Sequence, residues 1–94
     1  MKKIIEVEYV GIEDVQEILD DTYAVSKHTK HYVSVSMSNG STNAPLVHVL
    51  IMLDGFDKDG LYDYDYLFRI NDDEISVTTM KNCKNTLRNL LAEE

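Results

Sequence analysis

Three observations predict an α+β fold for this chain of 94 residues. Two segments repeat their apolar residues at helical spacing, and five others are short alternating or β-branched runs. The runs in the middle are joined by brief turns, which pairs consecutive strands antiparallel. Each helix has one apolar stripe and needs a sheet face to cover. The expected architecture is a two-layer sandwich with an antiparallel sheet of about five strands, two helices on one face, and the order β-α-β-β-β-β-α. Residues 1–94 are expected to form a single domain around one modest core.

Each element has its own signal. Lys3 to Val10 sets Ile5, Val7 and Tyr9 against Glu6 and Glu8, an amphipathic strand ended by Gly11. Ile12, Val15, Ile18 and Leu19 then recur at helical spacing up to about Asp21, with acids in the first turn that suit the helix dipole. Residues 22–30 read as a loop. His31 to Ser38 alternates cleanly, with Tyr32, Ser34 and Ser36 on a hydroxyl face. The stretch NGSTNAP turns the chain, and Pro45 belongs at a strand start. Leu46 to Leu53 is apolar on both faces and is placed centrally in the sheet, with His48 as a satisfied core histidine. Tyr62 to Ile70 alternates again, and Glu74 to Thr78 forms a short strand. Met80, Cys83, Leu87, Leu90 and Leu91 mark the last helix, which Thr78 or Thr79 can cap. The uncovered face is expected to show Glu6, Glu8, Tyr32, Ser34, Ser36, Asp63, Asp65 and Ser76.

Charge is divided unevenly along this frame. The net of −8 runs by segment as −5 for 1–22, +2 for 23–53, −6 for 54–74 and +1 for 75–94. Residues 54–74 hold eight acids against Lys58 and Arg69, whereas 23–53 hold no acid. Such a balance argues against direct binding of nucleic acid or an anionic membrane. The opening residues start like a signal peptide, but Glu6 interrupts any apolar region. The longest apolar run, Leu46 to Leu53, is far short of the roughly 20 residues a bilayer requires. Cys83 is alone, which suits a reducing compartment, and the expected location is the cytoplasm.

With Gly60 as the sixth position of a calcium loop, Asp57, Asp59 and Asp63 fall at the third, fifth and ninth. The first and twelfth positions are then Gly55 and Tyr66, so both essential carboxylates are missing, and a plain Asp/Gly turn is favoured. A small calcium-binding module ranks lowest among the functional readings. His28, His31 and His48 lack a zinc spacing. No G-x-S-x-G elbow or phosphate loop is present, and no enzyme activity, cofactor or metal is expected.

The acidic and aromatic segment is the candidate partner-binding site. Asp63 and Asp65 would stand on one sheet face, about 6.8 Å apart. Asp54, Asp57 and Asp59 add charge at one end of the strand, and Asp72, Asp73 and Glu74 at the other. Carboxylates so spaced approach the phosphate spacing of one DNA strand, about 3.4 Å along the axis, once the turns contribute. Tyr62 and Tyr64 add rigid contact area with polar tips, while Tyr66 and Phe68 are read as core-facing. In size, acidity and α+β plan the chain resembles the small acidic proteins with which phages block host nucleic-acid enzymes, uracil-DNA glycosylase inhibitors and anti-CRISPR proteins among them. The resemblance is one of composition and carries over no residue. It implies an inhibitor that occupies the basic groove of a nucleic-acid-binding protein. The alternative is a structural or regulatory subunit that homodimerises through its sheet.

Overall fold

A computed structural model describes residues 9–39, 45–71 and 74–93. The chain is α+β, in the order α1 (Ile12–His28), β1 (Tyr32–Ser38), β2 (Leu46–Met52), β3 (Tyr64–Arg69) and α2 (Glu74–Ala92). The described sheet has three antiparallel strands in the order β1-β2-β3. Its rows are set by register: Val33, Val35 and Met37 stand opposite Ile51, Val49 and Val47, which in turn oppose Tyr64, Tyr66 and Phe68. Both helices cover that face. The alternate rows, containing Ser34, Ser36, His48, Leu50, Asp65 and Leu67, form the open face.

β2 is central, as its doubly apolar sequence implies, but only Val47, Val49 and Ile51 point into the core. They meet Val15, Ile18 and Val25 from α1 and Met80, Cys83, Leu87 and Leu90 from α2. Burying a side chain of this kind stabilises the fold by about 1.5–3 kcal/mol. Truncating fully buried Leu87 to alanine would open a cavity and cost about 2–5 kcal/mol.

α1 begins at Gly11, whose N–H donates to Asp14 Oδ2 (2.8 Å) while Asp14 N–H donates to the Gly11 carbonyl (3.1 Å). It ends at Thr29, whose N–H and hydroxyl both donate to the Val25 carbonyl (2.9 and 2.7 Å). The helix therefore runs a full turn and more beyond the expected stop at Asp21. Residues 22–28 contain neither Gly nor Pro, and Val25 continues the buried stripe seven residues after Ile18. Packing outweighs the weak helix preference of Thr22, Tyr23 and Val25.

The expected strand Glu74–Thr78 is instead the start of α2. Ser76 and Val77 are buried there, and Val77, Met80, Cys83 and Leu87 keep one spacing of three to four residues. Ser76 is thus absent from the open face; its hydroxyl accepts the Arg69 N–H (2.9 Å) and ties the helix start to β3. Thr79 is inside the helix, with its hydroxyl donating back to the Ile75 carbonyl (3.2 Å), so it caps nothing. The other expected strand, Lys3 to Val10, lies outside the described residues apart from Tyr9 and Val10, as do Glu6 and Glu8. Val10 is fully buried, and its carbonyl accepts the Asn71 N–H (3.0 Å). The sheet shown is therefore three-stranded, without the five strands the sequence suggested.

Two sets of polar contacts fix the layers. Lys84 on α2 reaches Asp14 Oδ1 and Glu17 Oε2 on α1, each at 2.6 Å, and Arg88 also pairs with Glu17. Burial opposes the Lys84 charge, but its hydrogen bonds to both carboxylates prevail and hold the ammonium above its ordinary pKa. Burial likewise opposes the Asp14 charge, and the Lys84 and Gly11 hydrogen bonds overcome it and hold that carboxyl low. Between α2 and the sheet, Tyr66 meets Thr86 Oγ1 at 2.6 Å. Thr86 gives its own proton to the Asn82 carbonyl (3.0 Å), so the tyrosine is the donor.

Candidate functional site

The acidic residues after β2 form a loop that is closed at its neck. Asp63 does this twice: its N–H donates to the Ile51 carbonyl (2.9 Å) and its carboxylate accepts the Leu53 N–H (2.7 Å). Asp54 takes a left-handed backbone (φ 66°), and its N–H donates to His31 Nδ1 (3.0 Å) just ahead of β1. That bond requires an unprotonated Nδ1, and Nε2 on the same ring faces Glu93 at 3.7 Å. Farther along, Asp57 Oδ1 accepts the Asp59 N–H (3.0 Å) and the Asp57 carbonyl accepts the Gly60 N–H (3.0 Å), a tight Asx turn. The Asp/Gly stretch is built as a turn, with one carboxylate used to shape it.

The loop folds back over one end of the open sheet face. Phe56 packs against Tyr32, with ring centroids 5.0 Å apart. Gly60 lies over Met52, so closely that a Cβ there would meet Met52 Cε at 3.0 Å. Tyr32 and Met52 are cross-strand partners, so these contacts share one location. Asp54, Asp57, Asp59, Asp63 and Asp65 are all exposed around it. Among them protrude apolar side chains: Leu61 is 91% exposed, Phe56 61% and Tyr62 44%.

The expected site residues thus divide. Asp54, Asp57, Asp59, Tyr62 and Asp63 belong to the loop, and Asp65 follows on the open face. Tyr64 is on the helix-facing row at the sheet's end, stacked on Tyr66 with ring centroids 6.1 Å apart, and remains 38% exposed. Glu74 opens α2 beyond the opposite end of β3, separated from the loop by roughly 20 Å of strand. Asp72 and Asp73 lie outside the described residues. The segment 54–74 is therefore not one patch.

Two histidines have roles that the sequence did not disclose. His48 is on the open face rather than in the core, and its Nε2 is 2.6 Å from Asp65 Oδ1. Alternation alone places His48 opposite in direction to Val47 and Val49, but its meeting with Asp65 depends on a β2–β3 register that no short sequence pattern reveals. His31 holds the loop neck, a contact made 23 residues apart. Ser36 is the cross-strand partner of His48, and Asp65, the partner of Leu50, reaches His48 diagonally from the next row, so serine, imidazole and carboxylate are neighbours on one face. The three lie on an open sheet face, where no described residue excludes water or aims donors at an oxyanion.

No group of three or more His, Cys, Asp or Glu side chains among the described residues is arranged to hold a metal ion. No helix among them is long and apolar enough to cross a membrane. No protein-family model, curated protein or solved structure matches the chain.

Proposed function

We propose that this chain is a cytoplasmic protein–protein interaction module without enzyme activity, an inhibitor of the phage anti-CRISPR or DNA-mimic kind. It blocks the basic nucleic-acid-binding groove of a host protein with its acidic loop. The observation that carries this reading is the mixture on that loop. Exposed carboxylates at Asp54, Asp57 and Asp59 surround Phe56, Leu61 and Tyr62, side chains that a purely solvated acidic turn has no reason to display. Carboxylates supply attraction and speed of encounter with a basic groove, and the apolar side chains supply contact area once water is expelled. Closure of the neck by Asp63 and His31 holds the loop in place before binding, which lowers the ordering cost.

Pairing of two copies through the sheet is less favoured, because it would bring Asp65 and the loop carboxylates of both chains together. The test is competition: the chain is titrated into complexes of DNA with a uracil-DNA glycosylase and with a Cas9-type effector, at about 50 and 200 mM salt. Displacement of DNA that weakens at the higher salt, and is lost in Asp59→Lys, supports the proposal. Displacement from neither enzyme, or salt-independent binding that survives that substitution, rejects it.

A further inference from the structure

We propose that two copies of the chain pair antiparallel through the outer face of α1. Ile12 and Leu19 are seven residues apart and Tyr23 follows four later, so the three fall in one narrow strip of the helix. Their exposures are 52%, 48% and 68%, and the strip runs along the flank of the helix next to Val15, about a third of a turn round from Ile18 and Val25. Glu13, Asp20 and Lys27, also spaced by seven, line one margin of the strip and are all exposed.

The charge order along α1 identifies the occupant. Asp14 and Glu17 are engaged by Lys84 and Arg88 of α2, so the exposed order along the outer side is Glu13, Asp20 and then Lys27. A parallel copy would set acids against acids. A wholly basic helix would suit the first half and repel the second. An antiparallel copy complements both ends, because its gradient runs the other way. With the two-fold axis near Asp20, Glu13 meets Lys27 of the second copy and Lys27 meets the other Glu13. Leu19 and Tyr23 of the two copies interleave between those pairs, and Asp20 faces its own copy, the one repulsive contact.

Seventeen residues give a helix about 25 Å long. One such helix pair buries less than the roughly 1,200–2,000 Å² of a stable complex, so the dimer is weak, with a Kd on the order of 10–100 µM. α1 and the open sheet face belong to opposite layers. The dimer therefore carries two acidic loops on its outer sides and can engage two basic sites at once. The pairing itself does not depend on what the loops bind.

Sedimentation equilibrium on the full chain, from about 10 µM to 1 mM, tests this. The natural sequence is expected to show a reversible monomer–dimer equilibrium. Leu19→Lys weakens it at least about tenfold, and Glu13→Lys or Lys27→Glu alone by about three- to tenfold. Combining Glu13→Lys with Lys27→Glu restores affinity to within about twofold, and Asp20→Asn tightens it. Circular dichroism confirms that each variant is folded. A natural chain that stays monomeric at about 1 mM overturns the proposal. So does a dimer indifferent to Leu19→Lys, or a double exchange no better than its singles. If the strip instead serves a different protein, the chain is monomeric and Leu19→Lys abolishes that other contact, which equally overturns pairing between copies.

Discussion

Replacing Lys84 by methionine removes the cation between Asp14 and Glu17 while keeping an apolar stem of similar length in place. Lys84 and Asp14 are 2.6 Å apart, and their side chains are only 13% and 22% exposed. Exposed ion pairs contribute at most about 1 kcal/mol, whereas stripping one member from a fully buried pair costs about 3–5 kcal/mol. The Lys84–Asp14 arm lies between these limits, so the expected loss is about 2 kcal/mol, with nothing assigned to exposed Glu17. For a domain this small a urea slope of about 1 kcal/mol per M converts that into a midpoint lower by about 2 M. The pH dependence is the sharper signature. Asp14 and Glu17 are held below their ordinary values of 3.8 and 4.5, the latter by the Lys84 and Arg88 hydrogen bonds. Their contribution is full above those values and disappears as pH falls through the lower folded ones. Lys84 is held above 10.5, so its share is full below that value and is lost as pH rises through the folded one. The deficit of Lys84→Met should be level from about pH 5 to 10 and shrink below about pH 4. Urea titrations at neutral pH and near pH 2.5 measure it. An equal deficit at both, or one under about 0.5 kcal/mol at neutral pH, would refute the electrostatic account.

Three further outcomes follow from the packing. Tyr66→Phe should destabilise by about 1 kcal/mol, and Thr86→Val added to it should cost little more, because their shared hydrogen bond is already gone and the bond from Thr86 back to the Asn82 carbonyl within the helix contributes little. Cys83, fully buried and with its thiol pushed up to about 12 by burial and then by Asp21, should react with a disulfide reagent only as fast as the chain unfolds. Asp21 is held above 3.8 by burial and then by the Glu17 charge, and its Oδ2 is buried without a hydrogen-bond partner among the described residues. A raised carboxyl pKa costs stability above the unfolded value, so Asp21→Asn should melt a few degrees higher at neutral pH and lose that gain below about pH 3.8.

What the sequence could show depended on how local the signal was. Alternation marks β1 and β3, where one buried face leaves a period of two, and a continuous apolar run marks β2, each to within about two residues at its ends. The start of α1 and the stripe of α2 were equally plain. The errors have particular causes. Residues 22–28 and 74–78 are rich in Thr, Val, Tyr and Ile, which favour strands, and both became helix because their apolar positions extend a stripe already committed to the core. At the candidate site, exposure of the Asp/Gly turn was legible from composition. The Asp63 clamp, the His31 anchor and the His48–Asp65 pair were not, since each depends on register or on contacts ten or more residues apart.

The contacts also sort the acids by what each is free to do, which net charge alone cannot. Asp14 and Glu17 neutralise Lys84 and Arg88 and join the helices. Asp63 closes the loop, and Asp65 is engaged by His48. Asp57 shapes the turn with one oxygen. Asp54 and Asp59 are exposed, and their carboxylates accept no hydrogen bond from the described residues. Reversal at Asp63 therefore confounds binding with folding: a lysine there loses the Leu53 N–H and opens the neck. Reversal at Asp59 disturbs only the surface, since the residue's internal bond is made by its backbone N–H. If the loop meets a basic groove, Asp59→Lys must weaken that contact while leaving the melting temperature unchanged. Loss of binding at Asp63→Lys but not at Asp59→Lys would mean that loop shape, rather than its charge, makes the contact.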